Sequence, residues 1–224
     1  MTSPRGSAVQ AWVEAWADRG FRARLLLTLP ALVAVLALLA RFLDFVEERP
    51  GAVLADPLLA LLPPRDVTWM TFGLIYAGLV FGVARLQTEP RRLLEALQAY
   101  VVLVLFRIAA MWVVPLEAPP GMIPLHDPLV RLFGPGRLLT KDLFFSGHTS
   151  TLFLLALAVP GRRSKILFLL CTALVAGGVL WQHVHYTIDV LAAPFFAYAS
   201  YRLAVSARQE RAGSGRGVSP RARR

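Results

Sequence analysis

Apolar residues along this chain gather into blocks of about twenty, the length that crosses the hydrocarbon core of a bilayer. Six blocks stand out, at 25–45, 68–84, 93–114, 143–160, 166–181 and 186–205. The pattern predicts an all-α membrane protein, a six-transmembrane-helix bundle filling residues 25–206. The last three blocks are separated by short polar breaks, so their helices should be neighbours. Residues 1–24 hold Trp12 and Trp16 beside Glu14, Asp18 and Arg19. This stretch is expected to lie on the cytoplasmic side, either as a helix in the membrane interface or as a frayed terminus. Residues 207–224, "ARQERAGSGRGVSPRARR", are rich in Gly, Ser and Arg and predict a disordered basic tail.

Composition agrees with a membrane protein: 56% of the 224 residues are hydrophobic and the mean hydropathy is +0.56. The first block follows a charged, tryptophan-bearing stretch and is expected to be a span rather than a cleaved signal. The lone Cys171 excludes an intramolecular disulfide. The net charge of +10 points to the membrane rather than to nucleic acid once the basic residues are placed. Arg5, Arg19, Arg22, Arg24, Arg85, Arg91, Arg92, Arg162, Arg163, Lys165 and the tail from Arg202 fall on one side. Only Arg41, Arg49, Arg65, Arg131, Arg137 and Lys141 fall on the other. The asymmetry predicts both termini in the cytoplasm. It fits a bacterial inner membrane or its equivalent, and leaves the oligomeric state open.

All four histidines, His126, His148, His183 and His185, then fall on the extracytoplasmic side. His185 and Asp189 are four apart and share a helical face. Asp189 enters the bilayer by about one turn, where a carboxylate is costly unless it is paired or functional. A carboxylate that holds one imidazole nitrogen leaves the other as base or nucleophile. In "SGHT", Gly147 lets the backbone approach an anion closely, Ser146 and Thr149 add hydroxyls, and a helix N-terminus favours phosphate. Arg107 lies about 22 Å beyond Arg92 along the third block, at ~1.5 Å per residue, and supplies a counter-charge in the same layer. Each feature has a plainer reading: an interfacial histidine, a structural hydrogen bond, a snorkelling arginine. Together they point to one site for a phosphate ester. His183 and His185 point apart on a helix and no further ligand cluster accompanies them, so no metal and no cofactor is expected. The loop 115–142 carries Met122, Ile123, Leu125, Leu129, Val130, Leu132 and Phe133, and is expected to pack down over that site.

"KDLFFSGHTS" and "HVHYTIDV" resemble the two catalytic motifs of the sphingomyelin synthase-like branch of the type 2 phosphatidic acid phosphatase superfamily. The resemblance spans roughly residues 60–200. It implies a six-helix membrane fold and a catalytic triad of His148, His185 and Asp189. It assigns Asp142, Tyr186 and Arg107, with Ser146, Gly147 and Thr149, to the substrate and its phosphate. "EPRRLLEALQAYVVLVLFRIAAMW" resembles the family's double-arginine segment through Arg91, Arg92, Tyr100 and Arg107. "PPRD" at 63–66 resembles a further short motif. Phe145 before Ser146, and Gly178-Val179 where phosphatases carry Ser-Arg, favour the synthase branch. Lys141, Pro194 and Phe195 depart from it. The expected activity is transfer of a phospholipid headgroup phosphate to a lipid alcohol, ceramide or diacylglycerol, through a phosphohistidine. The alternatives are a phosphatase or phospholipase C-type hydrolase using the same triad, and a non-catalytic lipid-binding membrane protein.

Overall fold

The computed structural model describes residues 4–126 and 138–214. Among them the regular structure is helical: α1 (Pro4–Ala17), α2 (Arg19–Glu48), α3 (Pro57–Leu61), α4 (Thr68–Leu86), α5 (Pro90–Val113), α6 (Gly147–Ala158), α7 (Arg162–Trp181) and α8 (Thr187–Ser214). Five of these, α2, α4, α5, α7 and α8, are long and apolar enough to cross a membrane. The fourth expected span differs. Residues 143–146 are not helical, and α6 has 12 residues, about 18 Å at ~1.5 Å per residue. Ser146 caps its start and the chain leaves the helix before Pro160-Gly161. Hydropathy reads this stretch as one block because extended apolar residues and helical ones score alike. The count of six spanning helices is therefore not confirmed.

Two boundaries move for local reasons. α2 starts at Arg19 rather than 25 because the Asp18 carboxylate accepts from Gly20 N (2.8 Å) and Phe21 N (3.3 Å), satisfying orphan amides of the first turn. At the other end α8 runs on to Ser214, into the stretch expected to be disordered; residues 215–224 lie outside the described residues. The segment before α2 is a helix. Trp12 Nε1 donates to the Gln87 carbonyl (2.7 Å), and Ala15, Phe21 and Leu94 are buried together. α1 thus braces the α4–α5 turn.

In the bundle, α5 packs against α2 on one side and against α6 and α8 on the other, while α7 and α4 close the far side of α6. Phe72, Ile75, Leu152, Phe168 and Val175 fill the α4–α6–α7 core. Ala99, Leu103, Phe145, Leu154, Ala193 and Ala197 fill the α5–α6–α8 core. Lipid offers apolar side chains the same environment as a neighbouring helix does, so close packing by small residues drives association. A Cβ at Gly78 would stand 2.8 Å from Leu152 Cδ2, and one at Gly82 would stand 3.0 Å from Leu155 Cδ2.

The short connectors meet at one end of the bundle, the site end. Ala52 N donates to Pro115 O (2.9 Å) and Glu117 N to Ala52 O (3.0 Å). Glu47 accepts from Thr140 N and Lys141 N, while Lys141 Nζ reaches Glu117 Oε1 and Arg49 O, both at 2.9 Å. Of the loop expected to cover the site, Met122 and Leu125 pack on the α4–α6–α7 core. Leu129, Val130, Leu132 and Phe133, with Arg131 and Arg137, lie outside the described residues.

Candidate functional site

The two histidine motifs are joined by backbone. Ser146 N donates to Asp189 O (3.1 Å), which sets the first turn of α6 beside the first turn of α8. Ser146 is the N-cap of α6: its Oγ accepts from Thr149 N (3.4 Å) and from Thr149 Oγ1 (3.1 Å). Ser146 and Thr149 are fully buried, at 0% and 1% exposure. Their hydroxyls were expected to face phosphate; they face each other and build the turn. The next residues, Gly147 and His148, are only partly buried. The His148 ring stands edge-on to Phe72, 5.8 Å between centroids, which fixes its plane against α4.

Just before α8, His185 Nδ1 lies 3.2 Å from Asp189 Oδ2, and Tyr186 N donates to the same oxygen (3.1 Å). Asp189 is fully buried and His185 is 4% exposed. A carboxylate accepting from Nδ1–H selects one tautomer and leaves the lone pair on Nε2. The expected pair is therefore present, though His185 stands ahead of α8 and not on a shared helical face, and a backbone amide holds the carboxylate in place.

Arg107 reaches the same layer from α5 and is 6% exposed. Its Nη1 donates to the Phe145 carbonyl and its Nη2 to Asp142, a buried-to-half-buried ion pair. An arginine at the centre of a membrane-spanning helix costs roughly 2.5–3.5 kcal/mol on insertion scales, and these two acceptors offset the burial of the charge. It does not snorkel. Gly147 makes the arrangement possible: a Cβ there would stand 2.6 Å from Arg107 Nη1 and 2.8 Å from Cζ. The guanidinium thus lies flat against the start of α6, adding its charge to the positive end of that helix.

Asp142 is accordingly the partner of Arg107. Tyr186 also has a structural task. Its side chain is 1% exposed; its hydroxyl donates to Glu117 O (3.1 Å) and accepts from Leu54 N (3.2 Å), tying two connectors together. His183 does not join His185. Its Nδ1 and Nε2 face the Pro120 and Leu62 carbonyls, both at 2.9 Å. Among the described residues no group of three or more His, Cys, Asp or Glu side chains is arranged to hold a metal.

Asp56 was not singled out by the sequence. Its carboxylate caps α3 through Leu58 N and Leu59 N, and also takes Thr187 N (2.6 Å) and Thr187 Oγ1 (2.9 Å) at the start of α8. Burial raises its pKa, but the hydrogen bonds from Thr187, Leu59 and Leu58 outweigh that and hold it below the usual aspartate value. The Asp56-Pro57 pair is a legible helix start; its second role is not.

Residues 141–205 match the sequence model of a family described as PAP2 superfamily C-terminal. The matched stretch contains Asp142, the Ser146–Thr149 turn, His185 and Asp189; Arg107 lies before it. The match supports the PAP2 superfamily and, with it, an enzyme of the lipid phosphatase or phosphotransferase kind. With five long apolar helices it is consistent with an integral membrane protein. Among curated proteins none matches the chain significantly.

Proposed function

We propose that the chain is a lipid phosphotransferase of the sphingomyelin synthase-like kind, acting through a phosphohistidine. The observation that carries this reading is the His185–Asp189 pair held beside a buried arginine at the glycine-opened start of α6. His185 Nε2 attacks the phosphorus of a phospholipid as the bond to the diacylglycerol oxygen breaks. His148 gives its proton to that oxygen. In the second half, His148 takes the hydroxyl proton of a lipid alcohol, ceramide or diacylglycerol, whose oxygen attacks the phosphorus and releases His185. Phosphoryl transfer depends chiefly on positioning and charge neutralisation, and Arg107 with the α6 N-terminus supplies the charge. The chemistry uses no cofactor. The arginine asymmetry favours an extracytoplasmic site.

Transfer and hydrolysis share these steps and differ in the acceptor. The near-complete burial of His185 under the connectors favours a lipid alcohol over water. Purified protein incubated with headgroup-labelled phospholipid should move label to added ceramide or diacylglycerol, with free phosphorylated headgroup a minor product. His185→Ala should abolish both turnover and acid-labile, base-stable protein label. Release of water-soluble product alone, whatever alcohol is supplied, overturns the transferase reading in favour of the hydrolase. Absence of any turnover with every phospholipid leaves the lipid-binding alternative.

A further inference from the structure

His183 has no part in the proposed chemistry, yet it is built into the structure at a steric cost. It occupies the α7–α8 turn at φ 57°, a left-handed conformation that residues with a Cβ adopt reluctantly. Its ring is shielded from solvent, the residue being 6% exposed. Each ring nitrogen meets a backbone carbonyl at 2.9 Å, Nδ1 that of Pro120 and Nε2 that of Leu62. A carbonyl oxygen only accepts, and a neutral imidazole has a single N–H. In the neutral ring one of the two contacts would press a nitrogen lone pair against carbonyl lone pairs, away from water. The imidazolium has two N–H groups and satisfies both.

We propose that His183 is a positioning residue that carries both ring protons and, as an imidazolium, pins the α7–α8 turn to two connectors, fixing His185 two residues later. The ring braces the α3–α4 connector through Leu62 and the loop after α5 through Pro120. The charged and titratable groups on these elements are engaged elsewhere. Arg65 lies over the Trp181 ring at 5.7 Å. Asp66 accepts from Thr68 N at 2.9 Å, with His126 nearby. Glu117 takes Lys141 Nζ and Gly51 N, and His185 takes Asp189. The carbonyl dipoles thus solvate the ring's charge. Neighbouring ties in the turn run between neutral groups: Arg65 N to Trp181 O (2.9 Å), Ile123 N to Gln182 O (3.0 Å), and Gln182 Nε2 to Thr68 Oγ1 (2.8 Å).

The kinetic consequence rests on His185 as nucleophile; the protonation state does not, and the two are measured apart. The chain has four histidines, so ¹⁵N-histidine labelling gives a short spectrum, assigned by His126→Gln, His148→Gln, His183→Asn and His185→Gln in turn. Near pH 6.5, His183 in the wild type should show both nitrogens protonated; a single N–H tautomer wherever the protein is folded overturns the proposal. Asn tolerates positive φ but offers one donor and one acceptor and does not titrate. His183→Asn should lower kcat about tenfold with KM little changed, the scale of one lost charged hydrogen bond. An unchanged kcat in that variant refutes the positioning role. If the variant does not fold, the wild-type spectrum still decides. A doubly protonated His183 without phospholipid turnover in the wild type rejects the proposed activity and not the clamp.

Discussion

Adding one methyl group at Gly147 tests the site with little else disturbed. In Gly147→Ala the new Cβ would sit 2.6 Å from Arg107 Nη1, 2.8 Å from Cζ and 3.2 Å from Nη2. Carbon and nitrogen in ordinary contact stand about 3.5 Å apart, so the guanidinium must retreat by roughly 1 Å. An arginine end is flexible when free, but this one is tied to the Phe145 carbonyl and to Asp142 in a buried setting. Hydrogen bonds to charged groups contribute about 1.5–3 kcal/mol each. Weakening both costs about 2–5 kcal/mol, against a gain of at most ~1 kcal/mol from replacing glycine in a helix. The protein should fold with a lowered unfolding midpoint. Turnover should fall by ~10²-fold or more, the effect of misplacing one charge-stabilising donor by about an ångström. Headgroup-labelled phospholipid turnover and thermal unfolding in the same detergent measure the two effects. Arg107→Leu supplies the control, because the three atoms nearest to a Cβ at 147 all belong to the guanidinium. In the leucine background it should cost little further activity, a non-additivity expected of groups in contact. Gly147→Ala with at least half of wild-type turnover, or full additivity with Arg107→Leu, refutes the placement of Arg107 as the source of charge.

Three further outcomes follow from named contacts. Asp56 ionises more readily folded than unfolded, so its contribution to stability is present above the usual aspartate range and lost as the pH falls through its depressed value; acid unfolding should begin at higher pH in the wild type than its Asp56→Asn slope would give, and identical slopes exclude this. Tyr186→Phe leaves Leu54 N without its acceptor, so it should lower stability by about 1–3 kcal/mol with KM nearly unchanged, whereas a large KM rise at full stability returns Tyr186 to substrate binding. In a Cys171→Ser background, a membrane-impermeant thiol reagent should label Arg65→Cys in intact cells and not Arg163→Cys; the reverse places the site in the cytoplasm.

The features readable in the sequence are those that neighbours along the chain decide. His185 and Asp189 do meet four residues apart, but His185 stands in the bend before α8 and the Asp189 carboxylate reaches back to it from the first turn; Ser146 caps α6 through an amide three residues on. The position of Arg107 toward the C-terminal end of α5 follows from the residue count alone. What connects distant segments was not legible. Asp142 was assigned to the substrate because nothing local shows that it meets an arginine 35 positions away. The resemblance assigns Tyr186 to the substrate, and no local pattern shows that its hydroxyl closes a contact across 132 positions. The hydroxyls of Ser146 and Thr149 illustrate a different limit. Their donor capacity is plain from residue type, but burial turns it inward. The fourth block shows a third limit, since a hydropathy window measures how apolar a stretch is and not where a cap begins the helix.

The Asp142 contact already supplies Arg107 with a negative partner, which would compete with the proposed phosphate. The donor geometry removes the conflict. A guanidinium carries several N–H groups in a rigid plane; one nitrogen is directed at Phe145 O and another at Asp142, and each still has a second hydrogen. The carboxylate and the carbonyl therefore fix the plane from the protein side and offset the cost of burying the charge when no lipid is bound. On the proposed function, a phosphodiester approaching from the start of α6 would meet a cation that needs no reorientation, which is where preorganised charge gains its advantage over water. Lysine could supply the charge, but as a point donor it could not hold both protein acceptors and still present a fixed face to the ligand. The requirement for a planar fork at 107 and the requirement for no side chain at 147 are thus one requirement, imposed by the same few cubic ångströms at the head of α6.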